Sequence, residues 1–247
     1  MAGVFARGFL KLGRPVIPVT RKTNMAETAE SYSTPEMVLV AVGEKDLHSV
    51  LEGVDERWRN RLVLLQNELL PRDWEVHEIE TPTVIVVWFE KKTGREYKVL
   101  ISSPVHGPGA PLLEKALEKL QIPCRRLKTF DELEFELVRK NVYILTTNIC
   151  GLLLPPGTNV GELWEHHQAT ARAVADEVMD IQFKLIGHEL DRLKLIDGMV
   201  EGILGDPAHR CTGRSAKERL ERNLTFADRL DVSKMREIAD LVSNPAG

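Results

Sequence analysis

The chain reads MVLVAVGEKDLHSVLEGV over residues 37–54, a continuous apolar run followed by a segment with helical periodicity. A second run of the same kind, RLVLLQN, occupies residues 61–67. Apolar, β-branched runs without polar alternation are typical of strands that are buried on both faces of a parallel sheet. The stretch therefore predicts a strand–helix–strand unit of an α/β domain.

Strands and helices continue to alternate on both sides of this unit, up to about residue 125. The sequence predicts a helix over 2–12 ended by Gly13, a strand over 15–19 (PVIPV), an antiparallel pair over 83–89 and 96–102, a loop over 106–111 and a helix over 111–121. From Asp131 the pattern changes, and the remaining apolar residues recur only at helical spacing. We predict an α/β domain over 1–128 and an all-helical domain over 129–247.

Composition limits the possible partners and the compartment. The net charge of −4 over 247 residues argues against nucleic acid or an anionic membrane surface as the main partner. No apolar run approaches the roughly 18 residues that a membrane span needs. The three cysteines are scattered, without the spacing of a metal site, so we expect buried thiols in a cytoplasmic protein and no metal.

The order of these elements, together with LVLLQN (62–67) and RKNVYILTTN (139–148), resembles the ketopantoate reductase (2-dehydropantoate 2-reductase) family. The resemblance covers most of the chain and is weaker after residue 155. It implies a Rossmann-like domain that binds NADP, followed by a helical domain for substrate binding and dimerisation. It also implies a small carbonyl compound as substrate and a homodimer as the assembly.

The beginning of the chain departs from that family. The family's spacing places the last position of its glycine fingerprint at Ala2, beside Gly3, so the first strand and the first two glycines would precede Met1. We therefore expect a Rossmann-like domain that is incomplete at its N-terminus, with Ala2 and Gly3 as the remaining cofactor-binding positions. Either the protein starts upstream, or this domain does not bind a dinucleotide in the usual way.

The resemblance assigns the other cofactor positions to the ends of the predicted strands. Arg21 would face the 2′-phosphate of NADP, with Lys22 adding charge, although a solvated basic turn is the alternative. Gly43 stands where active family members usually carry a lysine near the cofactor. Asn67 would contact cofactor and substrate, while Glu68 replaces the usual glycine; the alternative for Asn67 is a turn cap.

Lys140 and Asn148 reproduce the family's catalytic lysine and its asparagine eight residues later. Eight residues are about two helical turns, so both side chains lie on one face. The lysine would protonate the keto oxygen, because partial desolvation lowers the pKa of an amine toward neutrality. The alternative for Lys140 is a side chain that extends to solvent.

The late polar residues of the family do not align without gaps. Glu218 is our candidate for the acidic catalytic position, with Glu221, Asn223 and Ser215 as further candidates. The same segment also fits an exposed helix with ion pairs. Its four arginines are expected to be solvated, with anion binding as the alternative: Arg210, Arg214, Arg219 and Arg222.

Two classes of function remain open on these residues. One is an NADP-dependent oxidoreductase acting on a CH–OH/C=O pair, with a 2-keto acid or a related carbonyl as substrate. The other is a reductase-like binding or assembly protein without catalysis, which the departures at Gly43 and Glu68 favour.

Overall fold

The structure, a computed structural model, describes residues 1–91, 94, 96–213 and 215–244. The chain splits into two compact units, Met1–Glu136 and Leu137–Gly247.

The first unit is built on short strands. Its described part contains β1 (Val38–Val40), β2 (Leu62–Leu64), β3 (Thr83–Ile85), β4 (Phe89–Lys91), β5 (Tyr97–Val99), β6 (Ser103–His106) and β7 (Cys124–Arg126). Five of them form one sheet in the order β1-β2-β3-β6-β7, and β4 and β5 form a separate antiparallel pair. The strands β1, β2 and β3 run parallel, β6 runs antiparallel to β3, and β7 runs parallel to β6.

The two continuous apolar runs of the sequence form the neighbouring parallel strands β1 and β2. Val38 pairs with Leu62 and Val40 with Leu64, so the two strands end at the same edge of the sheet. All three residues of β2 are buried, as expected for an inner strand of a covered sheet.

Helices cover this sheet. The first unit holds α1 (Ala2–Lys11), α2 (Met25–Ser31), α3 (Leu47–Glu52), α4 (Arg72–Glu75) and α5 (Ala110–Glu118), with short 3-10 helices at Glu44–Asp46 and Glu56–Arg61. One core cluster joins Phe5 and Phe9 of α1 to Leu113 and Leu117 of α5 and to Val63 of β2. The apolar face of α1 thus packs in the core, as its periodicity predicts.

The second unit is helical. The division between the units falls within α6 (Phe130–Gly151), which is followed by α7 (Val160–His166), α8 (Gln168–Ile186), α9 (Arg192–Gly205), α10 (Ala216–Phe226) and α11 (Ser233–Ser243). The described residues of this unit form one isolated β-bridge, Asn159 with Arg210, and no strand. No helix in the described chain is long and apolar enough to cross a membrane.

A Rossmann-like α/β domain followed by a helix-rich domain is therefore confirmed as the fold class, but the predicted strand over 15–19 is wrong. Ile17 and Val19 are 45% and 42% exposed, and the segment joins neither sheet of the described chain. Pro15 and Pro18 lack the N–H groups that a ladder requires, so the apolar run does not become a strand.

Two other elements differ from prediction. The run 83–89 is divided between β3 and β4, and the predicted pair over 83–89 and 96–102 becomes the pairs β3–β6 and β4–β5. The strand β7 is not among the predicted elements, and its residues Cys124–Arg126 include two arginines at the sheet edge. In the described part of the chain β7 pairs with β6, a contact that local sequence does not indicate.

In the second unit, Glu177 of α8 caps the beginning of α11. Its carboxylate oxygens accept hydrogen bonds from the backbone N–H groups of Lys234 at 2.6 Å and Met235 at 2.8 Å. These N–H groups belong to the first turn, which has no intrahelical acceptor for them. Because Glu177 is only 9% exposed, water cannot readily take its place as the acceptor for these two N–H groups.

We expect Glu177→Ala to lower the free energy of unfolding by about 2 kcal/mol, because two backbone donors lose a charged acceptor. The control is Asp176→Ala, the exposed neighbour on the same helix, which should change stability little. Urea unfolding followed by circular dichroism measures both, and equal midpoints for the two variants would contradict the capping role.

Candidate functional site

The carboxyl ends of β1 and β2 bring together two polar segments of the first unit. Gln66, which is buried, donates from Nε2 to the carbonyl oxygen of Val40 at 2.7 Å and ties the two strand ends together. The next residue, Asn67, donates from Nδ2 to Oε1 of Glu44 at 3.0 Å. In open α/β sheets this edge is where ligands bind.

Glu68 adopts a backbone conformation that favours glycine. Its φ is +61°, in the left-handed region, where a residue with a Cβ is strained by about 1 kcal/mol. The resemblance implies a glycine at this position, and the backbone conformation of Glu68 is one that glycine adopts readily. Strained backbone of this kind concentrates at ligand-binding sites.

Gly43 has no such conformational requirement. Its φ is −70°, and a Cβ built on it meets no heavy atom within 4 Å. The position therefore has open space beside the end of β1, where a longer side chain would fit.

Arg21 and Lys22 lie in an exposed turn closed by hydrogen bonds between Thr20 and Thr23. Arg21 Nη2 donates to Oδ2 of Asp46 at 2.9 Å, in the 3-10 helix that follows β1. The structure thus brings Arg21 to the same edge as Gly43 and Asn67. The Arg21 side chain is 88% exposed, so this ion pair is weak and exchangeable.

Ala2 and Gly3 lie in the exposed first turn of α1. A Cβ built on Gly3 meets nothing within 4 Å, so space is open at this end of the helix. Their role in cofactor binding stays a prediction.

Lys140 lies on the buried face of α6 in the second unit and is 9% exposed. Its Nζ is 5.3 Å from the centroid of the Tyr143 ring, a cation–π contact. Burial lowers the pKa of Lys140 to about 7, and the positive charges of Arg219 and Arg139 contribute to the same decrease. An amine with this pKa exchanges protons near neutral pH.

Asn148, two turns further along α6, is bonded at both ends of its amide. Nδ2 donates to the carbonyl oxygen of Cys211 at 3.0 Å, and Oδ1 accepts from Nη1 of Arg219 at 2.8 Å. Lys140 and Asn148 therefore share Arg219 as a neighbour. The role of Asn148 in orienting substrate stays a prediction.

The helix α10 presents Arg219, rather than Glu218, to this cluster. Glu218 is exposed and Arg219 is only 6% exposed, so the expectation that Arg219 is solvated is wrong. Helical periodicity could have predicted that Arg219 is buried. The buried residues of α10 follow helical spacing along one side of the helix: Ala216, Arg219, Leu220 and Asn223. The catalytic role of Glu218 stays a prediction, and Arg214 of the arginine set lies outside the described residues.

Two cysteine thiols of the second unit, Cys150 and Cys211, are buried. Burial raises the pKa of Cys150 to about 12 and that of Cys211 to about 11, so both thiols stay protonated. Within the described ranges, no group of three or more His, Cys, Asp or Glu side chains could hold a metal ion.

Solved structures share this fold over most of the chain. A ketopantoate reductase from Ralstonia eutropha aligns with a TM-score of 0.63 at 13% identity, covering 98% of this chain and 92% of that one. A D-mandelate dehydrogenase in complex with NADH gives 0.58 at 12% identity, covering 84% and 78%. A dimeric ketopantoate reductase from Staphylococcus aureus gives 0.54 at 12% identity, covering 84% and 76%.

No protein-family model and no curated protein matches the sequence. At such low identities the structural likeness establishes the fold alone. The chain has the fold of the ketopantoate reductases, as the resemblance of its motifs implies.

Proposed function

We propose, from the ketopantoate reductase fold of this chain, that it is a reductase of a small carbonyl compound, with a 2-keto acid as substrate and NADPH as coenzyme. The observation that carries the proposal is Lys140, an amine buried on α6 whose pKa is lowered to about 7. A general acid is most effective when its pKa lies near the working pH.

In this proposal Lys140 acts on the carbonyl oxygen of the substrate. Its protonated form donates a hydrogen bond to that oxygen and transfers the proton as negative charge develops there. Burial keeps water away from the amine and strengthens this interaction. Asn148 holds the neighbouring Arg219 and the Cys211 backbone in place, since its amide bonds to both.

The residues at the edge of β1 and β2 fit a nicotinamide coenzyme, which when bound supplies the hydride. Glu68 keeps the glycine-like turn, Gly43 leaves space, and Asn67 offers an amide that can both donate and accept. Arg21 would hold the 2′-phosphate after giving up its exposed pair with Asp46. Ala2, Gly3 and Lys22 would complete the phosphate contacts.

Titration with both coenzymes tests the coenzyme assignment. We expect NADPH to bind more tightly than NADH, and Arg21→Ala to weaken NADPH by about tenfold while leaving NADH nearly unchanged. Arg7→Ala, an exposed arginine on α1, is the matched control and should change neither affinity. Equal affinities of the unmodified protein for the two coenzymes would overturn the assignment of NADPH.

One observation favours a second candidate, a reductase-like binding or assembly protein without catalysis. Asn67 and Arg21 are already bonded to carboxylates of this chain, Glu44 and Asp46. Those acids would repel a coenzyme phosphate. Turnover of any 2-keto acid that disappears when Lys140 is replaced would refute this candidate.

We further propose that the protein works in the cytoplasm as a homodimer. Three free cysteines suit a reducing compartment, and one of the structural neighbours is dimeric. Sedimentation analysis would test the assembly directly.

A further inference from the structure

Two histidines of the first unit face each other at the protein surface. His48 lies on α3, and His77 follows the end of α4. His48 Nδ1 and His77 Nε2 are 3.0 Å apart, and the centroids of the two rings are 5.2 Å apart. The His48 side chain is 55% exposed, so the pair is accessible from solvent. The two residues are 29 positions apart in the chain, so local spacing does not indicate them as a site.

The distance between the two nitrogens is close to that of two ligands on one metal ion. Histidine nitrogens bind Zn²⁺ at about 2.0–2.1 Å, so two of them in a tetrahedral site lie roughly 3.3 Å from each other. The histidine pair would have to open by only a few tenths of an ångström, with a small rotation of each ring. The exposed ring of His48 can make this adjustment by side-chain rotation.

Asp73 lies where a carboxylate supports a metal-binding histidine. Its Oδ1 is 3.7 Å from His48 Nε2, the ring nitrogen that does not face His77. Its Oδ2 accepts a hydrogen bond from the backbone N–H of Leu70 at 2.8 Å, which holds the carboxylate in place. In metal sites such a carboxylate accepts the N–H of the ligating imidazole and fixes its tautomer. A proton on His48 Nε2 leaves Nδ1 with its lone pair directed toward His77.

The proton balance of metal binding follows from this tautomer. With the His48 proton on Nε2, His77 donates from Nε2 to His48 Nδ1 in the metal-free pair. A metal ion takes the place of that His77 proton, which moves through water to Nδ1 of the same ring. Both facing nitrogens then donate a lone pair to the metal, and no net proton is released.

The charges around the pair also favour a cation. The charged side chains that act on His77 and Asp73, beside His48, are two further carboxylates and two guanidinium groups: Glu52, Glu68, Arg59 and Arg72. Together with Asp73 itself, negative groups outnumber positive ones, so a divalent cation is attracted rather than repelled.

We propose that His48 and His77 bind a divalent transition metal ion such as Zn²⁺, which joins α3 to the segment that follows α4. The pair belongs to no group of three potential ligands in the described chain, so water completes the tetrahedral coordination. Imidazole nitrogens suit zinc, copper and nickel, whereas calcium and magnesium require oxygen ligands. Both ligands lie in the first unit, and the site needs neither coenzyme nor substrate.

Calorimetric titration of the untagged protein with ZnCl₂, without coenzyme or substrate, tests the proposal. We expect one Zn²⁺ per chain to bind at micromolar concentration. His48→Gln and His77→Gln should each weaken binding by at least about tenfold, because one imidazole remains. Asp73→Asn should weaken it by about tenfold, because the acceptor for His48 Nε2–H is no longer charged. The matched control is His166→Gln, an exposed histidine of α7, which should leave the affinity unchanged.

Zn²⁺ should also raise the urea concentration at which the first unit unfolds, because the ion binds the folded pair more tightly than the unfolded chain. Tryptophan fluorescence measures this shift, which should be absent in His48→Gln and present in His166→Gln. If Zn²⁺ does not bind at micromolar concentration, or if His48→Gln and His166→Gln bind it equally, the proposal is overturned. A failed NADPH titration would refute the reductase assignment and leave this result unaffected.

Discussion

Replacing Lys140 by methionine is expected to lower kcat for carbonyl reduction by about 10³-fold, because the proton donor is lost. Methionine has a similar length and no charge, so the buried position stays filled. Steady-state kinetics with a 2-keto acid and NADPH measures the effect. Lys217→Met, at an exposed position of α10, is the control and should retain the activity of the unmodified protein.

The pH dependence of activity should follow the same amine. Since the pKa of Lys140 is lowered to about 7, its protonated form is lost as the pH rises through that value. We expect kcat to fall above about pH 7. A rate that stays constant or increases over this range would show that Lys140 is not the proton donor.

The free energy of unfolding should change with pH in the opposite direction to kcat. The folded pKa lies below the ordinary value of 10.5, so between about pH 7 and 10.5 the unfolded chain binds more protons than the folded chain. The free energy of unfolding contributed by Lys140 therefore rises with pH in this window, by about 1.4 kcal/mol per unit. Below about pH 7 Lys140 is protonated in the folded protein, so the loss of stability caused by its buried charge is fully present there.

Lys140→Met should lack this pH dependence and should be more stable than the unmodified protein near neutral pH, because it removes a buried charge. Urea unfolding of both proteins at several pH values measures the difference. If the free energy of unfolding depends on pH identically in the two proteins, Lys140 does not have the lowered pKa assigned to it.

Gly8→Ala is expected to destabilise the first unit by about 2 kcal/mol, through overpacking between α1 and α5. A Cβ built on Gly8 would lie 2.6 Å from the backbone oxygen of Ala116 and 3.0 Å from its carbonyl carbon. Because the obstacle is backbone, no side-chain rotation relieves it, and α1 must move away from α5.

Gly3→Ala on the same helix is the matched control. A Cβ there meets nothing within 4 Å, so alanine should stabilise the helix by about 0.5 kcal/mol or more. Three of the four tryptophans lie in the first unit and report its unfolding by fluorescence: Trp58, Trp74 and Trp88. If the two variants unfold at the same urea concentration, the close helix contact is not needed for stability.

Local patterns predicted much of the fold. Continuous apolar runs located β1 and β2, and helical spacing located α1, α5 and α6. The errors arose where pairing decides the structure: PVIPV has strand-like side chains but two prolines, and β7 depends on β6 to become a strand. Strand pairing joins distant segments, so no local window contains it.

The candidate site, like the fold, was predicted in part from local sequence and in part required the tertiary structure. The spacing of Lys140 and Asn148 places them on one face of a helix from sequence alone, because eight residues are about two turns. What surrounds them required the tertiary structure, since Arg219 reaches Asn148 across 71 positions of the chain. Burial and neighbouring charge, which set the pKa of Lys140, come from those distant segments.

The sequence by itself therefore determined the positions of most strands and helices and the residues with suitable chemistry, because both depend on side-chain type and local periodicity. Only the tertiary structure decided that Arg219 is buried beside Lys140, that Glu68 keeps a glycine-like turn and that PVIPV stays outside the sheet. These features depend on which segments meet in space. Burial and neighbouring charges, which shift the pKa of a side chain, arise only where such segments come into contact.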